Sequence, residues 1–226
     1  MDRSRDTGVQ ALAALDEPTR RRLYDHVVAQ PGPVSRDEAA AAIDLPRTTA
    51  AFHLDKLAEE GLLEVVFERR TGRTGPGAGR PAKLYRRSDR EIEVSLPERH
   101  YDVAGHLLAG ALEDAEVSGG SPRGALEHRA HQYGESVGRA ARNRPGTPLA
   151  QVLEAHGFEP RSCGGSIDLV NCPFRALARE HPGLVCSMTF RLVGGVLDGL
   201  GDTGLRAELH PRPAHCCVRL EPAEPT

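Results

Sequence analysis

At 226 residues, 39% of them hydrophobic, the chain is long enough to fill two modest cores. No run approaches the roughly 18–20 apolar residues needed to span a bilayer, and no signal-peptide core follows the charged start Met1-Asp2-Arg3-Ser4-Arg5, so a cytoplasmic protein without a membrane partner is expected. The net charge of −3 conceals an uneven distribution, +2 over residues 1–90 and −5 over residues 91–226, which assigns any polyanion-binding face to the first part.

Ser35-Arg36-Asp37-Glu38 fits the capping box, in which serine and glutamate satisfy each other's free amides, and opens a short helix with Ala39, Ala42 and Ile43 on its apolar face. The chain turns through Asp44-Leu45-Pro46, and Pro46 is expected at the first helical position of a second helix. Along it Ala50, Leu54 and Leu57 recur at helical spacing and face inward, which turns Arg47, Thr48, Thr49, His53 and Lys56 toward the outside or its border. These hydrogen-bonding side chains suit base edges and phosphates. Gly61 caps the helix, and Leu62 to Glu68 begins a strand.

From Thr71 to Pro81 the chain is rich in glycine and cannot be helical, so it should form a hairpin tip, with a returning strand from Ala82 to Tyr85. Between Arg69 and Arg90 eight basic residues, among them Arg73, Arg80 and Lys83, face one acid, Asp89, a local charge of +7. Two helices followed by a basic hairpin are the outline of a winged helix-turn-helix, with Arg73, Arg80 and Lys83 as phosphate contacts. A nucleotide-binding loop is disfavoured, since neither a GK[ST] ending nor a following helix is present. The stretch Arg47-Thr48-Thr49-Ala50-Ala51-Phe52-His53-Leu54-Asp55-Lys56-Leu57, followed by Glu60-Gly61-Leu62-Leu63, resembles the recognition helix of ArsR-like bacterial transcriptional regulators, and the resemblance extends over residues 8 to 90. It implies binding to double-stranded operator DNA, and it makes the stretch from Ala11 to Leu23 similar to that family's opening helices, with Pro18 starting the helix that carries Leu23, Tyr24 and Val27. Such domains read palindromes as pairs, so a homodimer is expected.

A polar connector within Ser88 to His100 divides residues 1–90 from residues 101–226, leaving 91–100 to neither. Beyond it helices are expected over Tyr101 to Val117, Pro122 to Arg142 and Pro148 to His156. The first has Val103, Leu107, Leu108, Ala111 and Leu112 on one side and is a candidate dimer element. After Gly157 the pattern predicts a strand over Ser166 to Val170, a short helix over Pro173 to Glu180, a longer one over Leu184 to Leu200, and strands over Leu205 to His210 and Cys216 to Leu220. The fold class is therefore α+β, an N-terminal winged helix-turn-helix followed by an α+β sensor domain.

All five cysteines, Cys163, Cys172, Cys186, Cys216 and Cys217, lie in the second half. A disulfide framework is disfavoured in a cytosolic protein, which raises metal, cluster or redox chemistry. The intervals contain 8, 13 and 29 residues and no CxxC pair, so a zinc knuckle is not indicated, whereas iron–sulfur ligands need converge only in space. Cys172 precedes Pro173 and Cys186 lies in the opening turn of the Leu184 helix, where free amides favour a thiolate. Cys216 and Cys217, adjacent in a strand, should face opposite ways, with Cys216 inward. The alternatives are buried cysteines acting as small hydrophobes, a thiol-redox or heavy-metal switch, a regulator enclosing a small apolar ligand, and a thiol-dependent enzyme tethered to DNA. No catalytic constellation stands out, so an enzyme is not expected.

Asn171-Cys172-Pro173-Phe174, His181-Pro182-Gly183-Leu184-Val185-Cys186 and Cys216-Cys217-Val218-Arg219-Leu220 together resemble the C-terminal half of iron–sulfur-biogenesis repressors of the SufR type, over residues 100 to 226. The resemblance implies a repressor whose DNA affinity is controlled by an iron–sulfur cluster held by Cys172, Cys186 and Cys216. It leaves the fourth ligand open, with Cys163 the first choice ahead of Cys217, His181, His215 or an exogenous group, and ranks 4Fe-4S ahead of 2Fe-2S.

Overall fold

The computed structural model describes residues 3–69, 81–144, 146–213 and 215–223, and divides into two compact units, Met1–Val94 and Ser95–Thr226. In the first unit α1 (Arg3–Ala14), α2 (Pro18–Val28), β1 (Val34–Ser35), α3 (Arg36–Ala42) and α4 (Arg47–Glu59) precede the hairpin strands β2 (Leu63–Glu68) and β3 (Ala82–Arg87). The three strands form an antiparallel sheet in the order β1-β3-β2, with Val65 opposite Tyr85 and Val34 opposite the same tyrosine on its other side.

Local chemistry accounts for the helix boundaries. Pro18 opens α2, and the Glu17 side chain before it accepts from the amides of Thr19 and Arg20 at 3.0 and 2.7 Å. At α3 both halves of the Ser35/Glu38 capping box are formed. The turn to α4 passes through Asp44, whose φ of 55° is a left-handed conformation that aspartate tolerates better than most side chains. Pro46 is the cap residue in front of α4 and not its first helical residue, because ψ of 137° keeps it extended. Gly61, at φ 74°, follows the last turn and releases the chain into β2. Ala11, Leu23, Ala50, Leu54 and Leu57 meet in a core closed by Tyr85.

The second unit contains α5 (Tyr101–Ser118), α6 (Pro122–Arg142), α7 (Leu149–Glu154), β4 (Pro160–Cys163), β5 (Ser166–Leu169), α8 (Arg175–Glu180), α9 (Pro182–Leu200), β6 (Leu205–Leu209) and β7 (Val218–Pro222). Its antiparallel sheet runs β4-β5-β7-β6. The helix α9 is central, lying against α6 and against β6 and β7. Gly134 and Gly138 of α6 and Gly195 and Gly199 of α9 allow the two backbones to touch: a Cβ on any of them would collide with backbone of the other helix.

Several sequence expectations change here. The strand β4 was not foreseen, since Pro160-Arg161-Ser162-Cys163 is a short polar edge with no alternating pattern. Cys216 and Cys217 precede β7 instead of lying in it, so the strict alternation of a strand does not apply to them, and both are buried. By length and composition α9 is apolar enough to cross a bilayer, its mean hydropathy of 1.3 escaping notice because glycines interrupt the run; half of that stretch is buried within the folded unit, as in a core helix. On α5, Ala104, Leu107 and Ala111 are buried, whereas Leu112 and Val117 are 56% and 91% exposed.

Candidate nucleic-acid interface and thiol cluster

Burial of Ala50, Leu54 and Leu57 fixes how α4 is rotated. Arg47 and Thr48 are exposed, while Thr49, His53 and Lys56 are only partly so. His53 turns back toward α2, its Nδ1 3.6 Å from the Glu17 carboxylate. Lys56 is paired with Glu60 at 2.8 Å and Glu59 at 3.4 Å. Lys83 on β3 reaches across to Asp55 at 2.5 Å, and the Tyr85 hydroxyl donates to the same carboxylate at 2.6 Å. These two hydrogen bonds outweigh the burial that opposes ionisation and hold the Asp55 carboxyl below its ordinary range. Burial first, and the bond to Asp55 second, push the Tyr85 phenol upward. A groove of about 570 Å³ between α3, α4 and the hairpin is lined by Ser35, Arg36, Asp37, Ala51, Asp55, Phe67, Lys83 and Tyr85. Arg73, Arg80 and most of the hairpin tip lie outside the described residues. Two aromatics that no sequence pattern marks are exposed, Phe52 (65%) on α4 and Phe67 (63%) on β2.

In the second unit four thiols form a connected set in the order Cys172, Cys216, Cys217, Cys186. The Cys216 thiol lies between two acceptors, Cys172 and Cys217, and has one proton for them. Hydrogen bonding to both, with burial, raises Cys216 well above the ordinary thiol range. The bond from Cys216 lowers Cys172 despite burial, helped by the Phe174 amide and the Arg99 charge. Cys217 is brought down to about 7 by Cys216 first and Cys186 second, again against burial. Cys186 does not gain the thiolate-favouring effect expected at a helix start: burial, then its bond to Cys217, pushes it up to about 12.

Cys163 is placed differently from its proposed role as fourth ligand. It is exposed and pairs with Ser166 at one end of β5, whereas the Cys216 amide donates to Leu169 at the other end, three residues or about 10 Å away. The fourth thiol beside Cys172, Cys186 and Cys216 is Cys217. The Cys172 segment is held by Asn171, which is buried: its Nδ2 donates to Gly157 O at 2.6 Å, and its Oδ1 accepts from Arg99 at 2.7 Å. Arg99 also donates to Cys172 O at 2.6 Å. Among the described residues no group of three His, Cys, Asp or Glu side chains stands in an arrangement that could hold a metal ion, although the four thiols lie close enough to shift one another's ionisation. Their donor chemistry nevertheless fits a soft metal or an iron–sulfur cluster: four sulfurs, largely shielded from water, with an amide and a guanidinium placed to stabilise negative charge.

A family model described as a helix-turn-helix domain matches residues 15–66, which takes in α2, α3, α4 and most of β2. The fold of the first unit and this match define a DNA-binding domain of the helix-turn-helix class, the class through which transcription regulators engage double-stranded DNA. The match does not reach the second unit. No curated protein and no solved structure matches the chain.

Proposed function

We propose that the protein is a cytoplasmic, homodimeric transcription repressor whose operator affinity is set by an iron–sulfur cluster held by Cys172, Cys186, Cys216 and Cys217. The observation that carries this reading is the convergence of four buried or half-buried thiols in a domain that follows a helix-turn-helix. A bound cluster would supply redox and oxygen sensitivity. The chain's own residues do the rest. Cys172, Cys186, Cys216 and Cys217 would hold the cluster as thiolates, and their protons would leave most readily from Cys172 and Cys217, which are already held low. Asn171 and Arg99 fix the backbone that presents Cys172. Two-fold pairing would bring two α4 helices to successive major grooves, about 34 Å apart. Loss of the cofactor alters affinity if the two states favour different spacings of those helices.

A second reading, a thiol-redox switch without iron, is favoured by the closeness of Cys172 and Cys216, which shift each other's ionisation. A sensor of small apolar molecules draws less support, since among the described residues the cavity lined by His100, Val103, Tyr133, His156, Phe158, Phe174 and Leu192 holds only about 10 Å³, where a typical ligand site needs hundreds. The deciding experiment measures affinity for a selected duplex before and after anaerobic removal of iron by a chelator. A change of fivefold or more, reversed by reconstitution with iron and sulfide but not by thiol reductant alone, supports the cluster; reversal by reductant alone supports the thiol switch.

A further inference from the structure

The buried stripe of α4, Ala50, Leu54 and Leu57, leaves Thr48, Phe52, Asp55 and Glu59 on the opposite side, spaced as i, i+4, i+7 and i+11. Few polar groups are left for base edges on this face. Asp55 is held by Lys83 and Tyr85, Lys56 by Glu60, and His53 is turned toward Glu17. What the first two turns present outward is Arg47, which pairs with Asp37 at 3.5 Å, Thr48, the half-buried Ala51 and, at the centre of the face, the Phe52 ring, 65% exposed although it meets the His53 ring edge-on at 5.3 Å. An aromatic ring left in water forgoes a burial free energy that a partner surface can recover.

We propose that Phe52 is a specificity-determining residue that reads a thymine by packing on its 5-methyl group in the major groove. The inference rests on α4 being the recognition helix. The occupant is taken to be DNA because α4 lies inside the matched helix-turn-helix, because an α-helix of about 10–12 Å fits a groove of about 12 Å, and because Arg69 to Arg90 carries eight basic residues against one acid. Of the features that bases expose in that groove, the thymine methyl alone is apolar. The operator should therefore carry a thymine at one fixed position of each half-site.

The test begins with selection of binding sites from a random duplex library by the full-length protein purified without oxygen. In the best site each thymine is then replaced singly by deoxyuridine, which removes only the methyl group. Wild type should lose roughly four- to tenfold in affinity at one position per half-site, as expected for one buried methyl. Phe52→Ala should bind the unmodified site more weakly and show no further loss on deoxyuridine substitution there, with unchanged thermal stability because the ring is exposed. An equal deoxyuridine penalty in Phe52→Ala, or none at any thymine in wild type, overturns the proposal. If no site is enriched at all, the DNA reading itself fails and the proposal falls with it.

Discussion

The Tyr85 hydroxyl donates a 2.6 Å hydrogen bond to the Asp55 carboxylate and so ties the return strand of the hairpin to the outward side of α4. Lys83 binds the same carboxylate from the same strand. A lysine expected to contact phosphate thus also ties β3 to α4 and neutralises the Asp55 carboxylate.

Tyr85→Phe should cost about 1 kcal/mol at neutral pH, as expected for one hydrogen bond to a partly exposed carboxylate. The folded-state pKa of Asp55 is lowered, so its contribution is complete above the ordinary carboxyl value and fades as pH falls through the folded one. The Tyr85 pKa is raised, so its contribution is complete below the ordinary phenol value and fades as pH rises through the folded one. Urea denaturation of both proteins should show the difference between them steady near neutrality and shrinking toward either extreme. Equal stability at pH 7 would contradict this.

Gly134→Ala and Gly195→Ala should each cost about 3 kcal/mol or more, because the added methyl meets backbone of the facing helix, which cannot move without separating α6 from α9. Gly105→Ala on α5 meets nothing within 4 Å and should stabilise by a few tenths to about 1 kcal/mol. Thermal unfolding of the three variants checks the contrast.

Under native, iron-free conditions a thiol reagent should modify Cys163 first. It is exposed, whereas Cys172, Cys216 and Cys217 are at most 8% exposed. Low pKa values at Cys172 and Cys217 do not reverse this order, since the reagent needs access as well as thiolate. Mass spectrometry of briefly alkylated protein would show it, and modification of Cys217 ahead of Cys163 would be the contrary result.

Asn171→Ala should destabilise by about 2 kcal/mol, since it leaves Gly157 O without its donor and Arg99 without one acceptor in a buried setting. Iron retained per chain should fall with it, because the Cys172 backbone shares the Arg99 clamp. Metal analysis and denaturation of the same preparation test both effects.

Local chemistry made much of the fold legible. The capping box at Ser35, the prolines that open α2 and α6, Gly61, and the spacing of Ala50, Leu54 and Leu57 all act within a few residues, and these helices form where they predict. What escaped depends on contacts between distant segments. Gly134 and Gly195 show their purpose only when α6 crosses α9. Cys163 and Cys217 exchanged their expected standing because the register of β5 carries one away from the site, while the end of β7 brings the other in. The exposure of Phe52 escaped because no polar pattern marks it, whereas His53, expected at the outside or its border, lies half-buried beside Glu17.

The account is tested most directly by iron and acid-labile sulfide analysis, with a visible spectrum, on anaerobically purified wild type and on Cys163→Ala, Cys172→Ala, Cys186→Ala, Cys216→Ala and Cys217→Ala. Coloured protein with matched iron and sulfide, retained in Cys163→Ala and lost or sharply reduced in the other four variants, is the predicted result. Colourless, iron-free wild type that cannot be reconstituted, or iron that survives removal of Cys172, Cys186 and Cys216, would contradict it.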